Sequence, residues 1–549
     1  MKVLIVGGVA GGASCAARLR RLDERTEIVM VERGPYVSYA NCGLPYHVGG
    51  VIEDEASLLI ANPQLFRDQF AIDVRTGTEA VAVDAKSKTV TLRDVASGKE
   101  TSERYDKLVL SPGAVSVKPP LPGIDLPGIF HVRTVPDARA IRGWIGGSGR
   151  GRRAVVVGGG FIGLEMVENL AHQGLSVTLV ELADQILTPL DVEMARPVED
   201  LLRRQNVTLA LGEGVTRFEQ SEAGGLRVHT KSGAVYSADL VILALGVRPD
   251  TALAKSAGLV LGDRGGIKVD AQMRTSDPDI HAVGDAVEVR DIVTGSDTLL
   301  ALAGPANRQG RIAADAITGR PSRFRGVQGT AIIGLFGTTA AWTGASEKSL
   351  QRLGRTGIEK IYIYPNHHAR YYPGAKTIAM KLLFAREDGR ILGAQAYGEE
   401  GVDRRIDVIA TLIQKGGTVY DLEEAELCYA PQYGSAKDAA NFAGMVAANV
   451  LRNDMPVSHW HEQGSSLLLD VREPAEVEAF AIPGAQHIPL KQLRARIGEV
   501  ARDRPVDVVC RSGQRAYLAT RILRQHGIEA RTLSGGILSL QQMQPVAPR

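Results

Sequence analysis

Ala154-Val-Val-Val157-Gly158-Gly-Gly160-Phe-Ile-Gly163 runs from an apolar stretch straight into glycines spaced G-x-G-x-x-G. A helical stretch, 164–173, and a second apolar run, 176–180, follow and end at Glu181, 18 residues beyond Gly163. This is the pattern of a βαβ unit. Its helix N-terminus offers backbone N–H groups to a pyrophosphate, and its acid accepts ribose hydroxyls. The same order stands near the start. Val3-Leu-Ile-Val6-Gly7 enters a glycine cluster, 13–22 reads as helix and Glu27–Val31 as strand, and Glu32 lies 20 residues beyond Gly12. Val9 occupies the place of the middle glycine, so Gly7, Gly12, the flanking strand and helix, and Glu32 carry this second reading together. Two such units predict two dinucleotide sites in one chain.

The rest of the composition agrees with a large α/β protein. At 549 residues the chain has room for three or four domains. Gly is the outlier, with 61 residues where an average share of roughly 7% predicts about 38. Lys and Arg total 64 against 62 Asp and Glu, which leaves no global field to draw in nucleic acid or an anionic membrane. No apolar run is long enough for a membrane span, and the apolar start is expected to be a strand rather than a signal peptide. The four cysteines, Cys15, Cys42, Cys428 and Cys510, are too few and too far apart for a disulfide framework, and no CxxC occurs. A reducing cytoplasm is the expected compartment, and no metal site is expected.

Two more fragments join the pattern: Lys107-Leu-Val-Leu110-Ser111-Pro-Gly113 and Ile280-His-Ala-Val-Gly284-Asp285. Each is a short apolar strand that ends at a glycine, where a chain crosses between domains or meets a ligand. Asp285 is placed to accept from a ribityl hydroxyl, or to cap a helix. In order and spacing the four fragments resemble the flavoprotein disulfide reductases, over residues 1 to about 445. The resemblance implies an FAD-binding domain at 1–112 and 250–325, an NAD(P)H-binding domain at 113–249 and a dimerisation domain at 326–445. It implies FAD held by Gly7, Ala10, Gly11, Gly12, Glu32, Arg33, Asn41, Ser111, Gly113 and Asp285. It likewise implies NADH held by Gly158, Gly160, Gly163 and Glu181. Glu181 would repel a 2′-phosphate, so NADH is preferred and NADPH stays open.

The chemistry is read from Tyr36-Val-Ser38-Tyr-Ala-Asn41-Cys42-Gly43-Leu-Pro45-Tyr46, ten residues beyond Glu32. Cys42 stands ahead of a helix, where the dipole is expected to favour its thiolate. Disulfide reductases of this kind carry two cysteines here, and this chain has one. A single thiol beside a flavin forms its disulfide, persulfide or sulfenate with something outside the protein. With the Gly7–Gly12 cluster, this segment resembles the coenzyme A-disulfide reductase family. NADH peroxidases and oxidases in the same branch carry a histidine where this chain has Ala10. The resemblance implies coenzyme A contacts at Ser14, Arg18, Arg21, Ser38, Asn41 and Lys437. Phe70 stands where one family pattern has a lysine, and Arg18 where it has a glutamine. It further implies a homodimer in which Tyr371 and Tyr429 reach the other subunit's active site and serve the leaving thiolate. Cys15 and Cys428 are expected to be packing residues.

After residue 454 the pattern changes. Leu467-Leu-Leu-Asp470 and Val506-Asp-Val-Val-Cys510 read as strands, and the second delivers Cys510 to the loop Cys510-Arg-Ser-Gly-Gln-Arg515 ahead of a helix at 517–525. Such a loop wraps backbone N–H groups around the sulfur, with Arg511 and Arg515 nearby, and suits a thiolate or persulfide. Residues 456–549 resemble a rhodanese domain, with Ala481 where relatives commonly have histidine. The expected whole is α/β. It comprises two Rossmann-like domains, an α+β dimerisation domain and a small rhodanese-like α/β domain. The expected activity is FAD-dependent, NADH-linked reduction of small sulfur substrates (persulfides, polysulfides, coenzyme A persulfide or disulfide) through Cys42, with Cys510 exchanging sulfane sulfur. Alternatives are a coenzyme A-disulfide reductase for thiol homeostasis, a sulfur-trafficking protein, and a redox sensor with negligible turnover.

Overall fold

A computed structural model describes residues 1–147, 152–222, 224–462 and 464–544. The chain divides into two compact units, residues 1–184 with 206–327 and residues 185–205 with 328–549. The first unit is built on two five-stranded parallel sheets. One has the order Ile280–Ala282, Lys107–Leu110, Lys2–Val6, Glu27–Val31, Asp73–Arg75. The other has the order Thr208–Leu211, Ser176–Glu181, Arg153–Val157, Leu240–Leu243, Ile129–Phe130. Their central strands are buried on both faces, which is why they read as continuous apolar runs without alternation. Both glycine turns leave a central strand of their sheet at its carboxyl end.

The two first helices begin earlier than their sequence suggests. They span Ala10–Leu22 and Phe161–His172, where 13–22 and 164–173 were expected. The glycines Gly11, Gly12 and Gly163 are themselves helical, and propensity alone would exclude them from a first turn. They sit there because no side chain fits. A Cβ on Gly12 would lie 1.9 Å from the Gly7 carbonyl oxygen, and one on Gly163 would lie 1.9 Å from that of Gly158.

The second unit holds an antiparallel sheet, ordered Ala331–Leu335, Thr338–Gly344, Ile391–Gly398, Ile378–Ala385, Ile358–Ile363. It also holds a parallel sheet ordered Val457–Ser458, Ala530–Leu533, Val506–Val509, Leu467–Asp470, Gln486–His487. Residues 545–549 of the expected rhodanese-like segment lie outside the described residues. The segment 185–205 belongs to this unit because of a buried charge cluster. Lys381, with a fully buried side chain, donates to Asp191 (2.9 Å), Glu193 (2.6 Å) and Glu347 (2.6 Å). The three carboxylates converge as metal ligands do, and the ammonium occupies the place between them. No helix among the described residues is long and apolar enough to cross a membrane.

Candidate active site

Gly7 has φ +95°, and a Cβ there would stand 2.0 Å from the carbonyl oxygen of Ser111, so only glycine lets the two strand ends meet. The helix that follows has no side-chain N-cap, which leaves its first N–H groups to a ligand. Glu32 accepts from the N–H of Gly8 (2.9 Å) and of Gly34 (2.8 Å), so its carboxylate is fixed beside the turn. These residues open onto a cavity of about 860 Å³. Gly7, Ala10, Gly11, Glu32, Arg33, Asn41, Ser111, Gly113 and Asp285 all line it. Gly12 supports the turn from beneath. Asp285 lies in a short 3-10 turn with Arg133 at 3.6 Å, and burial raises its carboxyl against the pull of that guanidinium. Among the described residues no partner meets the buried Oδ1 of Asn41. The residues fit a dinucleotide the size of FAD: free N–H groups for the pyrophosphate, a ribose acid, and an orphaned acceptor in the cavity.

The second turn repeats this construction. Gly158 has φ +112°, and its Cβ would meet the Ala244 carbonyl oxygen at 2.2 Å. A Cβ on Gly160 would enter open space, where a pyrophosphate approaches the backbone. Glu181 accepts from Gly159 N–H (2.5 Å) and Ala183 N–H (2.8 Å), as Glu32 does in the first turn. This arrangement fits the adenosine half of NADH.

Cys42 lies in the 3-10 turn Asn41–Gly43 ahead of a helix of only five residues, Leu44–Val48. The sulfur's expected low pKa is not what the surroundings produce. Although Cys42 is exposed as a residue, the protein packed around its sulfur pushes the thiol up, and the carboxylates of Glu165 and Asp285 push it further. A helix of little more than one turn has a weak dipole, and two nearby anions outweigh it. Glu165 went unnoticed in the sequence. It sits two residues beyond Gly163, and the Tyr46 hydroxyl donates to it at 3.3 Å.

A separate cavity of about 350 Å³ gathers Ser14, Arg18, Arg21 and Ser38 against Phe66 and Phe70. Arg18 is engaged with Asp315 at 2.9 Å, and the Ser14 hydroxyl donates to Asn307. Asn307 and Arg311 complete the wall from the helix Ala303–Ile317, some 290 residues away in sequence, and no local pattern announced them. Asn41 lines the larger cavity instead, and Lys437 is an exposed residue of the second unit.

In the second unit the Tyr371 and Tyr429 hydroxyls are 2.7 Å apart and both side chains are exposed. Cys15 is buried, as expected of a packing residue, and burial pushes its thiol up to about 12. Cys428 is exposed, contrary to the packing role expected of it, because it lies in an open loop next to Tyr429. Cys510 is buried, and its sulfur accepts from the N–H of Gly513 (3.2 Å) and of Ala516 (3.4 Å). Arg515 is held by Glu476 in a two-point ion pair (2.5 and 2.7 Å), and Arg511 is exposed. Glu476 was absent from the sequence reading.

The pyridine nucleotide-disulphide oxidoreductase family matches residues 1–310, its dimerisation domain residues 331–440, and the rhodanese-like domain residues 457–543. The coenzyme A disulfide reductase of Staphylococcus epidermidis is 35% identical over 447 residues, covering 81% of this chain and 99% of its own. The reduced CoADR-RHD of Bacillus anthracis shares 45% identity and a TM-score of 0.96, with 98% of both chains covered. The NAD-dependent persulfide reductase of A. fulgidus shares 36% identity and a TM-score of 0.91, covering 98% of this chain and 100% of its own. With two dinucleotide turns of one design, a lone cysteine beside the first and a cradled cysteine in a second module, the chain belongs to the pyridine nucleotide-disulphide oxidoreductase family, flavoenzymes that use FAD and NAD(P)H, and carries a rhodanese-like domain beyond its dimerisation domain.

Proposed function

We propose that this flavoenzyme reduces sulfane-sulfur compounds carried on coenzyme A, with NADH as donor. One observation supports this most directly: the chain has two sulfur sites of different construction. Cys42 has no second cysteine in its segment, so its S–S partner comes from the substrate. Cys510 is held in backbone N–H donors, the arrangement that carries a persulfide. The Cys42 thiolate attacks a substrate S–S bond. A bond to Cys42 forms, the substrate bond breaks, and sulfide or coenzyme A leaves with a proton. When bound, FAD supplies the two-electron relay from nicotinamide that resets the sulfur. The balance is RSSH + NADH + H⁺ → RSH + H₂S + NAD⁺.

Gly7, Ala10, Gly11, Gly12, Glu32, Arg33, Asn41, Ser111, Gly113 and Asp285 would hold FAD. Gly158, Gly160, Gly163 and Glu181 would hold NADH. Ser14, Arg18, Arg21 and Ser38 would grip the coenzyme A nucleotide, with its adenine on Phe66 and Phe70, and Lys437 is a further proposed coenzyme A contact. The working form is a cytoplasmic homodimer. In it Tyr371 or Tyr429 of one subunit serves the leaving thiolate in the other, the paired hydroxyls keeping Tyr371 protonated at neutral pH.

The test is anaerobic NADH oxidation by the purified flavoprotein on coenzyme A persulfide and on coenzyme A disulfide, counting sulfide. One sulfide per NADH on the persulfide is expected. Preference for the disulfide with no sulfide released would overturn the proposal in favour of thiol homeostasis. Cys510→Ser is expected to keep NADH turnover on small persulfides, and loss of that turnover would mark the rhodanese-like domain as the principal site.

A further inference from the structure

A ladder of alternating charges runs up to the Cys510 loop. Asp470 ends the strand Leu467–Asp470 and accepts from Arg472 Nε (3.0 Å) and Nη2 (2.6 Å), and both side chains are buried. Arg472 reaches on to the backbone carbonyls of Glu476 (3.1 Å) and Phe480 (2.7 Å), which pins the short helix Pro474–Ala479. From that helix the Glu476 carboxylate accepts from both terminal nitrogens of Arg515 (2.5 and 2.7 Å). Arg515 directly precedes Ala516, whose N–H is one of the two backbone donors on the Cys510 sulfur. The ion pair therefore fastens the peptide unit that faces the sulfur, and the guanidinium itself lies close to it.

We propose that Glu476 selects the sulfur donor of this module, so that sulfane sulfur enters from a thiol persulfide and not from thiosulfate. It does so in two ways, both through Arg515. The end-on pair fixes the Ala516 amide on Cys510, and it cancels the charge of the half-buried cation nearest the sulfur. Glu476 is thus a positioning residue, and its role rests on the sulfur exchange proposed above for Cys510.

Net charge separates the two donors. The Cys510 thiolate attacks the outer sulfur of R–S–SH. A Cys510 S–S bond forms, the donor's S–S bond breaks, and RSH leaves with the proton. The balance is Cys–S⁻ + RSSH → Cys–S–S⁻ + RSH, with one negative charge throughout. Thiosulfate is a dianion, so the thiolate and this donor bring three negative charges together before sulfite leaves. Two N–H donors suit one charge, whereas three need a cation beside them. Arg515 is engaged by Glu476 and Arg472 by Asp470. Arg511 is exposed, where water and salt screen it. Arg515 holds the Glu476 carboxyl down to about 2, so the pair is intact at neutral pH.

The test is thiocyanate formation by the full-length holoenzyme without NADH. Cyanide is the acceptor, the donor is 2-mercaptoethanol persulfide or thiosulfate, and a Cys510→Ser blank is subtracted. The parent is expected to prefer the persulfide about hundredfold in kcat/KM. In Glu476→Gln a loosened loop alone would slow both donors alike. A freed guanidinium should instead move the donor ratio about tenfold towards thiosulfate, through KM and less so in high salt. Glu476→Asp, which keeps the charge, should keep the parent's ratio. Equal use of both donors by the parent, or an unchanged ratio in Glu476→Gln, would overturn the proposal. The parent's ratio needs no variant, so it decides the case even where Glu476→Gln does not fold. A parent inert with both donors would overturn the exchange at Cys510 as well, whereas NADH-driven reduction at Cys42 is read in a separate assay.

Discussion

Replacing Lys381 with methionine should open the second unit from its charge cluster, and the change should depend on pH in a way that identifies the cause. Burial works against the Lys381 ammonium. Tyr362, Glu193, Asp191 and Glu347 outweigh it, so the ammonium is held well above its ordinary value. Burial also opposes the charge on Glu347, but Lys381 and Lys360 hold it down to about 2 from 4.5. That shift corresponds to about 3 kcal/mol at 1.36 kcal/mol per pH unit, and removing one side of a buried cluster typically costs about 3–5 kcal/mol. In the parent, a carboxyl depressed by folding stabilises above its unfolded value near 4.5 and loses that contribution only as pH falls towards 2. Stability should therefore be flat from pH 8 to 5. In Lys381→Met the carboxylates of Asp191, Glu193 and Glu347 face one another with Lys360 still paired to Glu347 but no ammonium between them, so folding takes up protons and stability should fall as pH rises. Hydrogen-exchange protection of 358–363 and 378–385 measures both. A loss of roughly hundredfold at pH 8, shrinking at pH 5.5, is expected. The Tyr362 hydroxyl bonds Glu193 (2.7 Å) and its backbone N–H donates to Ser534 (3.0 Å), so the opening should reach the segment beside the Cys510 loop. Parent-like protection at pH 8, or a deficit equal at both pH values, would refute the reasoning.

Two shorter predictions concern ligands. Arg21→Ala should raise KM for coenzyme A substrates about tenfold to hundredfold, with kcat and small-persulfide turnover kept. Arg21 lines the smaller cavity and has no ion-pair partner among the described residues, whereas Arg18 is already engaged by Asp315. Equal effects on both substrate classes would count against it. Gly12→Val should give protein without yellow flavin absorbance, because its Cβ must displace the Gly7 carbonyl. Gly160→Val, whose Cβ meets open space, should keep FAD and weaken NADH instead.

Local rules reached as far as neighbouring residues could carry them. The buried strands are apolar without interruption, and the glycine turns place strand, helix and acid within about 30 residues, so both dinucleotide turns were visible in the sequence. What stayed hidden depends on tertiary approach. Arg311 and Asn307 meet Ser14 and Arg18 because two helices pack together, and Glu476 meets Arg515 across the rhodanese-like fold. The segment 185–205 joins the second unit through Lys381, whose only trace in the sequence is a lone lysine inside Ile378-Ala-Met-Lys381-Leu-Leu-Phe384. Cys428 was read as packing from residue type alone, and an open loop exposes it.

The Cys42 environment shows why the missing second cysteine and the surrounding acids belong to one design. The thiolate of a thiol raised by like charges is a poorer leaving group, and less of it is present at neutral pH. Cys42, raised by burial, Glu165 and Asp285, is therefore poorly suited to being expelled by another thiol. A neighbouring cysteine would rely on that expulsion to pass electrons along a dithiol. With one cysteine in the segment, the new bond at Cys42 must be broken by electrons delivered directly to it, so reduction, not exchange, completes the cycle. Cys510 is set differently: its sulfur takes two backbone N–H donors and has Arg515 close by, an arrangement that suits a sulfur handed over rather than reduced. One chain thus separates a sulfur that attacks and is reset by electrons from a sulfur that holds and exchanges.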